Sequence, residues 1–390
     1  MGAQDTRGIQ RAHGASAASQ RAQRMQRTQR MQQGLPREQR QSQRDTKAMR
    51  YLPAYLGATA ALGGAALYAL ADFQFRFTLD TNSRFSLLSL SKDTSRRSRR
   101  NPRDQRNRRG HRVYTEPPHR DADEEREAEK WFDDAKHSVS ITNEDGLRLH
   151  AWSFDPDCAS PNPHCYVICC HGFSGGPAQM AKYAHRFATM GFTVLTPASR
   201  CRELSEGRYI GMGWLERRDL LQWVRFIAAQ DAQARMLLDG ISMGAATVMM
   251  ACGEESLPPN VVAAIADCGF TSVWDQFMFN ARALYHLPRW LAGLLVQGMS
   301  LIAAHRAGYG FREASCVNQL GNVRIPMLFI HGGADDFVSP ASLDKVFQAC
   351  ASPRKQRLLI PGAGHAMSAS TDPVTYWKRV NAFVSPLFDQ

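Results

Sequence analysis

The chain has 390 residues, 44% of them hydrophobic and 22% charged, enough to close one or two domains around an apolar core; a wholly disordered or fibrous protein is excluded. Its net charge of +12 suggests nucleic acid until it is divided: residues 1–120 carry 24 Lys and Arg against 8 Asp and Glu, and the remainder carries 24 against 28. The basicity belongs to an N-terminal appendage, so no nucleic-acid partner is expected.

Residues 1–50 are rich in Arg, Gln, Ser and Ala and read as a disordered basic segment. From Tyr51 to Ala71 no residue carries a formal charge, a stretch long enough to cross a bilayer, and a single transmembrane helix is expected over 51–71. Two processing readings compete with it. Translation from Met49 would leave a basic start and an apolar run ending at Ala69-Leu70-Ala71, as in a signal peptide, and the Arg-rich first fifty residues are also compatible with an organellar transit sequence. Lys and Arg crowd both flanks (Arg44, Lys47 and Arg50 before; Arg76, Arg84 and Lys92 after), so the positive-inside rule does not choose an orientation.

Residues 72–130 read as a linker, first basic and then acidic. The run Arg96-Arg97-Ser98-Arg99-Arg100 gives way to Asp121-Ala122-Asp123-Glu124-Glu125. The first reading is a solvated stalk; the sharper one is a polybasic patch on anionic lipid. From Trp131 the punctuation becomes that of a compact domain, 131–390. A hairpin is predicted over Ser138 to Phe154 with its turn at Asn143-Glu144-Asp145-Gly146.

Strand-like and helix-like stretches then alternate. Strands are predicted near 166–170, 193–196, 236–238, 261–266, 327–330 and 357–360. Helices are predicted near 178–190, 214–229, 342–350 and 374–384, the last stopped by Pro386. Such alternation implies a mostly parallel sheet flanked by helices. It is interrupted between about 269 and 323 by a helix-like, aromatic-rich insertion that reads as a lid. The nine cysteines show neither CxxC pairs nor paired Cys/His spacing, so neither a zinc site nor a disulfide scaffold is indicated.

Gly240-Ile241-Ser242-Met243-Gly244 matches G-x-S-x-G, with an apolar strand before it and a helix-like stretch after it. A nucleophilic serine needs that setting, because the tight strand-to-helix turn requires small flanking residues and leaves the hydroxyl exposed at the sheet edge. The chain order Ser, Asp, His is completed by a carboxylate just past one strand, Asp335 or its neighbour Asp336, and by His365, just past the next. His331, at the end of an apolar strand, reads as structural. The oxyanion donors would be the Met243 N–H and, from the His171-Gly172 turn after an earlier strand, the Phe173 N–H.

On these motifs, with Tyr209-Ile210-Gly211-Met212-Gly213-Trp214 and Asp267-Cys268-Gly269-Phe270-Thr271-Ser272, residues from about 131 to 387 resemble the α/β-hydrolase superfamily. The resemblance is to membrane-tethered bacterial serine hydrolases related to the S33 aminopeptidase group. It implies the α/β-hydrolase fold and places the acid at Asp335 rather than Asp336. One stretch departs from the pattern: where such hydrolases usually have Pro-Asp-x-Arg-x-His-Gly-x-Ser, this chain has Pro197-Ala198-Ser199-Arg200-Cys201-Arg202-Glu203-Leu204-Ser205. Cys201, between two arginines, raises the question of a lowered thiol pKa, although an inert loop cysteine is the plainer reading.

The expected activity is hydrolysis of an acyl ester by Ser242, His365 and Asp335, with no metal or cofactor. An apolar substrate is expected from the lid residues Trp274, Phe277, Phe279, Tyr285, Trp290 and Leu291, for which ordinary helix packing is the alternative. A peptidase acting on short peptides and a catalytically idle membrane scaffold are the rival readings.

Overall fold

The computed structural model describes residues 63–87 and 119–388. The 1–50 segment, residues 51–62 of the expected span and the Arg96–Arg100 run lie outside the described residues. The predicted hairpin is present as β1 (His137–Thr142) antiparallel to β2 (Arg148–Phe154). The sheet continues with β3 (Cys165–Cys170), β4 (Thr193–Pro197), β5 (Arg235–Ile241), β6 (Val261–Asp267), β7 (Met327–Gly332) and β8 (Lys355–Ile360), in the order β1-β2-β4-β3-β5-β6-β7-β8. Only the pairings of β2 are antiparallel. The central strands have almost no exposed position, which explains their unbroken apolar sequence: a parallel strand is covered on both faces and has no reason to alternate.

The helical residues 63–78 (α1) lead the described chain. They are followed by α2 (Ala122–Ala135), α3 (Ala181–Thr189), α4 (Glu216–Gln230), α5 (Met243–Cys252), α6 (Val273–Tyr285), α7 (Arg289–Ala307), α8 (Cys316–Leu320), α9 (Ala341–Ala349), α10 (Ser368–Thr371) and α11 (Pro373–Phe388). One face of the sheet packs against α4, α5 and α9, the other against α2, α3 and α11. Every residue of α5 is buried, as its all-round apolar sequence requires. The lid consists of α6, α7 and α8 between β6 and β7. All nine cysteines are free, and seven are buried.

Three expectations are corrected. Pro386 does not stop the last helix, which runs to Phe388. The proline lies in the final turn, where few hydrogen bonds remain to be lost, and the buried Phe388 ring packs 5.0 Å from Phe192.

The second correction concerns the expected linker and the end of the uncharged run. The compact unit starts at Leu67, and Ala71, Phe75 and Leu79 are fully buried in the core. Asp72 pairs with Arg306 at 2.6 Å, and Asp80 forms a β-bridge with Tyr209. The end of the uncharged run therefore belongs to a helix that packs on the core, and no helix among the described residues is long and apolar enough to cross a membrane.

The third correction moves the expected domain start at 131 upstream. The acidic run read as linker forms α2, whose Ala128 and Phe132 are buried. The buried Lys182 ammonium is bonded by Asp121 at 2.8 Å and Glu125 at 2.9 Å. These carboxylates were placed in the linker because their partner lies about sixty residues away in sequence.

Candidate active site

The carboxyl ends of the parallel strands share one edge: Cys170 of β3 pairs with Gly240 of β5, Ile241 with Asp267 of β6, and Gly332 of β7 with Ile360 of β8. Four of the turns that leave that edge carry the predicted site residues: Phe173 after β3, Ser242 and Met243 after β5, Asp335 after β7 and His365 after β8. This is the crevice in which open α/β sheets bind ligands.

Ser242 sits between β5 and α5 with φ 56° and ψ −114°, a conformation a side chain adopts only when its surroundings impose it. The flanking glycines show what imposes it. A Cβ at Gly240 would lie 2.4 Å from the Gly244 carbonyl oxygen, and one at Gly244 would lie 2.0 Å from the Cys170 carbonyl oxygen. The motif's glycines are thus dictated by close backbone approach on both sides of the serine.

Ser242 Oγ lies 2.9 Å from His365 Nε2, and His365 Nδ1 lies 2.8 Å from Asp335 Oδ2. The other oxygen of Asp335 accepts from the Phe337 and Val338 N–H groups at 2.9 and 2.8 Å. Burial alone would raise this carboxyl's pKa, but hydrogen bonds from His331 and His365 and the nearby main-chain donors hold it well below the usual carboxylate range. Asp336 is exposed and Asp335 is buried.

His331, read from sequence as structural, is buried with its Nε2 3.1 Å from the Val338 carbonyl and 3.2 Å from Asp335 Oδ2. It therefore braces the acid loop from beneath. Burial lowers its pKa, but Asp335 outweighs burial and the net direction is up.

Gly172, Phe173 and Met243 border the same cavity as Ser242 and His365. A Cβ on Gly172 would lie 3.5 Å from Ser242 Cβ, which sets the β3 turn directly against the nucleophile. Met243 is the first residue of α5, where N–H groups have no intrahelical acceptor. The β3 turn is held by the Gln179 side chain, which accepts from Gly172 N–H at 2.9 Å. His171 holds it too: its Nδ1 donates to the Gly172 carbonyl at 2.7 Å and its Nε2 accepts from Ser199 N–H at 3.1 Å. Burial pushes the His171 pKa down to about 4, so it is neutral and can serve both bonds at once.

The divergent loop 197–205 is fixed by other means. Arg200 makes a two-pronged pair with Asp219, both contacts at 2.7 Å, and Arg202 stacks 5.6 Å from the Phe173 ring. Burial pushes the Cys201 thiol up to about 12, so the flanking arginines do not make it a reactive thiolate.

The cavity above Ser242 has a volume of about 490 Å³, within the range of small-molecule sites. Of the six lid residues expected to line it, Phe277 and Tyr285 do so. Trp274 instead stacks with Arg312 at 3.6 Å, and Trp290 is largely exposed. Sequence reasoning missed Gln74, Phe77, Thr78 and Leu87, which line the cavity from the segment taken as linker. No local signal marks them, because their neighbours in the wall, such as Tyr285 beside Gln74, are far away in sequence.

The family described as serine aminopeptidase, S33, matches residues 306–372, the stretch from the end of the lid to the His365 turn. The uncharacterized protein YqkD of Bacillus subtilis (strain 168) is 29% identical over 224 residues, covering 57% of this chain and 72% of that protein. The uncharacterized protein Rv2307c of Mycobacterium tuberculosis is 27% identical over 232 residues, covering 59% and 73%. Among solved structures, the Pyrococcus furiosus esterase Pf2001 superposes with a TM-score of 0.52 at 21% identity, over 65% of this chain and 91% of the esterase. Sheet order, turn geometry and this superposition give the chain the α/β-hydrolase fold, and its residues 306–372 are similar to the S33 serine aminopeptidase family.

Proposed function

We propose that the protein is a serine hydrolase that cleaves carboxylic esters through an acyl-enzyme. The observation that carries this is the continuous hydrogen-bonded series Asp335–His365–Ser242 opening into a largely apolar cavity. Ser242 Oγ attacks the acyl carbonyl while its proton passes to His365 Nε2. Asp335, accepting from His365 Nδ1–H, keeps the lone pair on the nitrogen facing serine and stabilises the imidazolium that forms. The imidazolium returns the proton to the leaving alcohol, and water, deprotonated by the same nitrogen, releases the acid. The N–H groups of Phe173 and Met243 are the donors for the oxyanion.

The lining favours an ester over a peptide with a free amino terminus. Among the described residues no Asp or Glu borders the cavity, leaving nothing to hold a substrate ammonium. We also propose that the apolar stretch preceding Leu67 attaches the enzyme to a membrane, with the Arg96–Arg100 run on anionic lipid. Fluorophosphonate labelling of Ser242, followed by p-nitrophenyl esters against aminoacyl p-nitroanilides, tests the chemistry. Labelling with ester turnover is the expected result; faster anilide turnover would replace esterase by peptidase. Carbonate extraction of membranes from cells making the full chain tests the attachment, which predicts retention in the pellet.

A further inference from the structure

The cavity does not end at the lid. The cavity that holds Ser242 and His365 is lined also by residues of α6 and α7 and by Phe77, Thr78 and Leu87, the last three from the segment outside the part of the chain that resembles other hydrolases. That segment is clamped in place. Gly298 of α7 lets α1 approach so closely that a Cβ there would lie 2.8 Å from the Ala71 Cβ. Gln74 Nε2 donates to the Tyr285 hydroxyl at 3.0 Å, and the Ile210 N–H donates to the Leu79 carbonyl at 3.0 Å.

Several polar groups at this end bond to the protein. Gln74 Nε2 donates to Tyr285, Thr78 Oγ1 donates to the Gln74 carbonyl at 2.7 Å, and Gln276 Nε2 donates to the Phe337 carbonyl at 2.8 Å. Most of the surface that the cavity offers a ligand is hydrocarbon. It opens beside Leu87, Leu284 and Tyr285, which line the cavity and are also solvent-exposed.

We infer that residues 74–87 form the wall that selects acyl-chain length, and that the substrates are esters whose unbranched apolar acyl chain extends from Ser242 past Phe277 to Phe77. The inference rests on the serine-hydrolase reading of the site and adds the substrate class to it. An N-terminal segment thereby becomes part of substrate recognition, and the acyl chain leaves the slot at an apolar rim.

The test is a p-nitrophenyl ester series from acetyl to decanoyl on the full chain. It is compared with Thr78→Trp, which fills the slot beside Phe77, and Phe77→Ala, which removes its wall; circular dichroism checks each fold. In the unsubstituted protein kcat/KM rises with acyl length, by up to roughly fourfold for each methylene that enters the slot. The decanoyl-to-acetyl ratio falls by about tenfold or more in Thr78→Trp, equivalent to two or so methylenes displaced, and by a smaller factor in Phe77→Ala. If Thr78→Trp does not fold, the ratio in Phe77→Ala decides. A flat profile in the unsubstituted protein, or an unmoved ratio in the folded variants, overturns the assignment while leaving Ser242 chemistry standing. Absence of both acetyl-ester turnover and fluorophosphonate labelling overturns the serine-hydrolase reading and this inference with it.

Discussion

The turns at the carboxyl edge of the sheet and the helices that wall the cavity are built by different physics. At the edge, position is set largely by close main-chain contacts. Gly240 and Gly244 admit a backbone approach that no side chain would survive, and the Asp335 turn is closed by N–H groups two and three residues on. The wall is assembled from α1, α6 and α7, which meet mainly by burying apolar surface against one another. The edge fixes which bond is attacked; the wall governs what reaches it.

Variants at the edge therefore give the largest effects. Ser242→Ala removes the nucleophile and is expected to lower ester turnover by ~10⁶, the scale seen when a triad serine is lost. Residual turnover above about one per cent in purified protein would put the nucleophile elsewhere. Asp335→Asn is the next largest. Because its Oδ1 is claimed by the Phe337 and Val338 N–H groups, an amide there turns its NH₂ toward His365. The imidazole then takes the tautomer whose Nε2 carries hydrogen, and turnover falls by up to ~10⁴. Asp336→Asn, on the exposed neighbour, is expected to cost less than about tenfold. The reverse order of damage in two folded variants would move the acid to Asp336.

The wall is tested through stability. Phe75 is fully buried between α1 and the body of the hydrolase, 5.6 Å from Tyr209. Phe75→Ala is expected to destabilise the compact unit by about 3–5 kcal/mol. Tyr68→Ala, two turns earlier in α1 and mostly exposed, should stay within about 0.5 kcal/mol. Chemical denaturation followed by tryptophan fluorescence reads both. Equal, small effects would return residues 72–87 to the status of a linker.

What could be read from the sequence follows the same division. The order of strands and helices, the interruption by the lid, and the turns carrying Ser242, Asp335 and His365 were all legible, because each leaves a local mark: an apolar run, a glycine pair, a carboxylate just past a strand. The start of the domain was not. Ala71, Phe75 and Leu79 sit in or near an uncharged run that satisfies the length criterion for a membrane span, and nothing within it shows that Gly298, Arg306 and Tyr209 receive it. Asp121 and Glu125 were hidden for the same reason, their cation being Lys182. Composition treated them as solvated charge, whereas the fold uses them as the counter-ions of a buried amine.

A pH-dependent effect is expected behind the edge. Asp239, three residues before Ser242 in β5, is buried with its Oδ2 unpartnered. Burial, and then repulsion from the equally buried Asp267, push its pKa up to about 8. The direction of the linkage follows from proton counts. Between the ordinary carboxylate pKa of about 4 and the folded value, the folded chain binds more protons than the unfolded one, so stability falls as pH rises through that window. The slope is at most about 1.4 kcal/mol per pH unit from this one group. Asp239→Asn cannot titrate and keeps the shape of the neutral acid. Its melting temperature relative to the unsubstituted protein should therefore climb between pH 5 and pH 8, by about 2–4 °C for each kcal/mol recovered in a domain of this size. Asp335 acts with the opposite sign. Its depressed pKa contributes stability that is fully present above the unfolded value and is lost only as pH falls through the folded one. Melting curves of the Asp239 variant at pH 5, 6.5 and 8 decide the matter: a difference that does not grow with pH would mean that Asp239 is already ionised in the fold, with a partner other than the residues that now surround it.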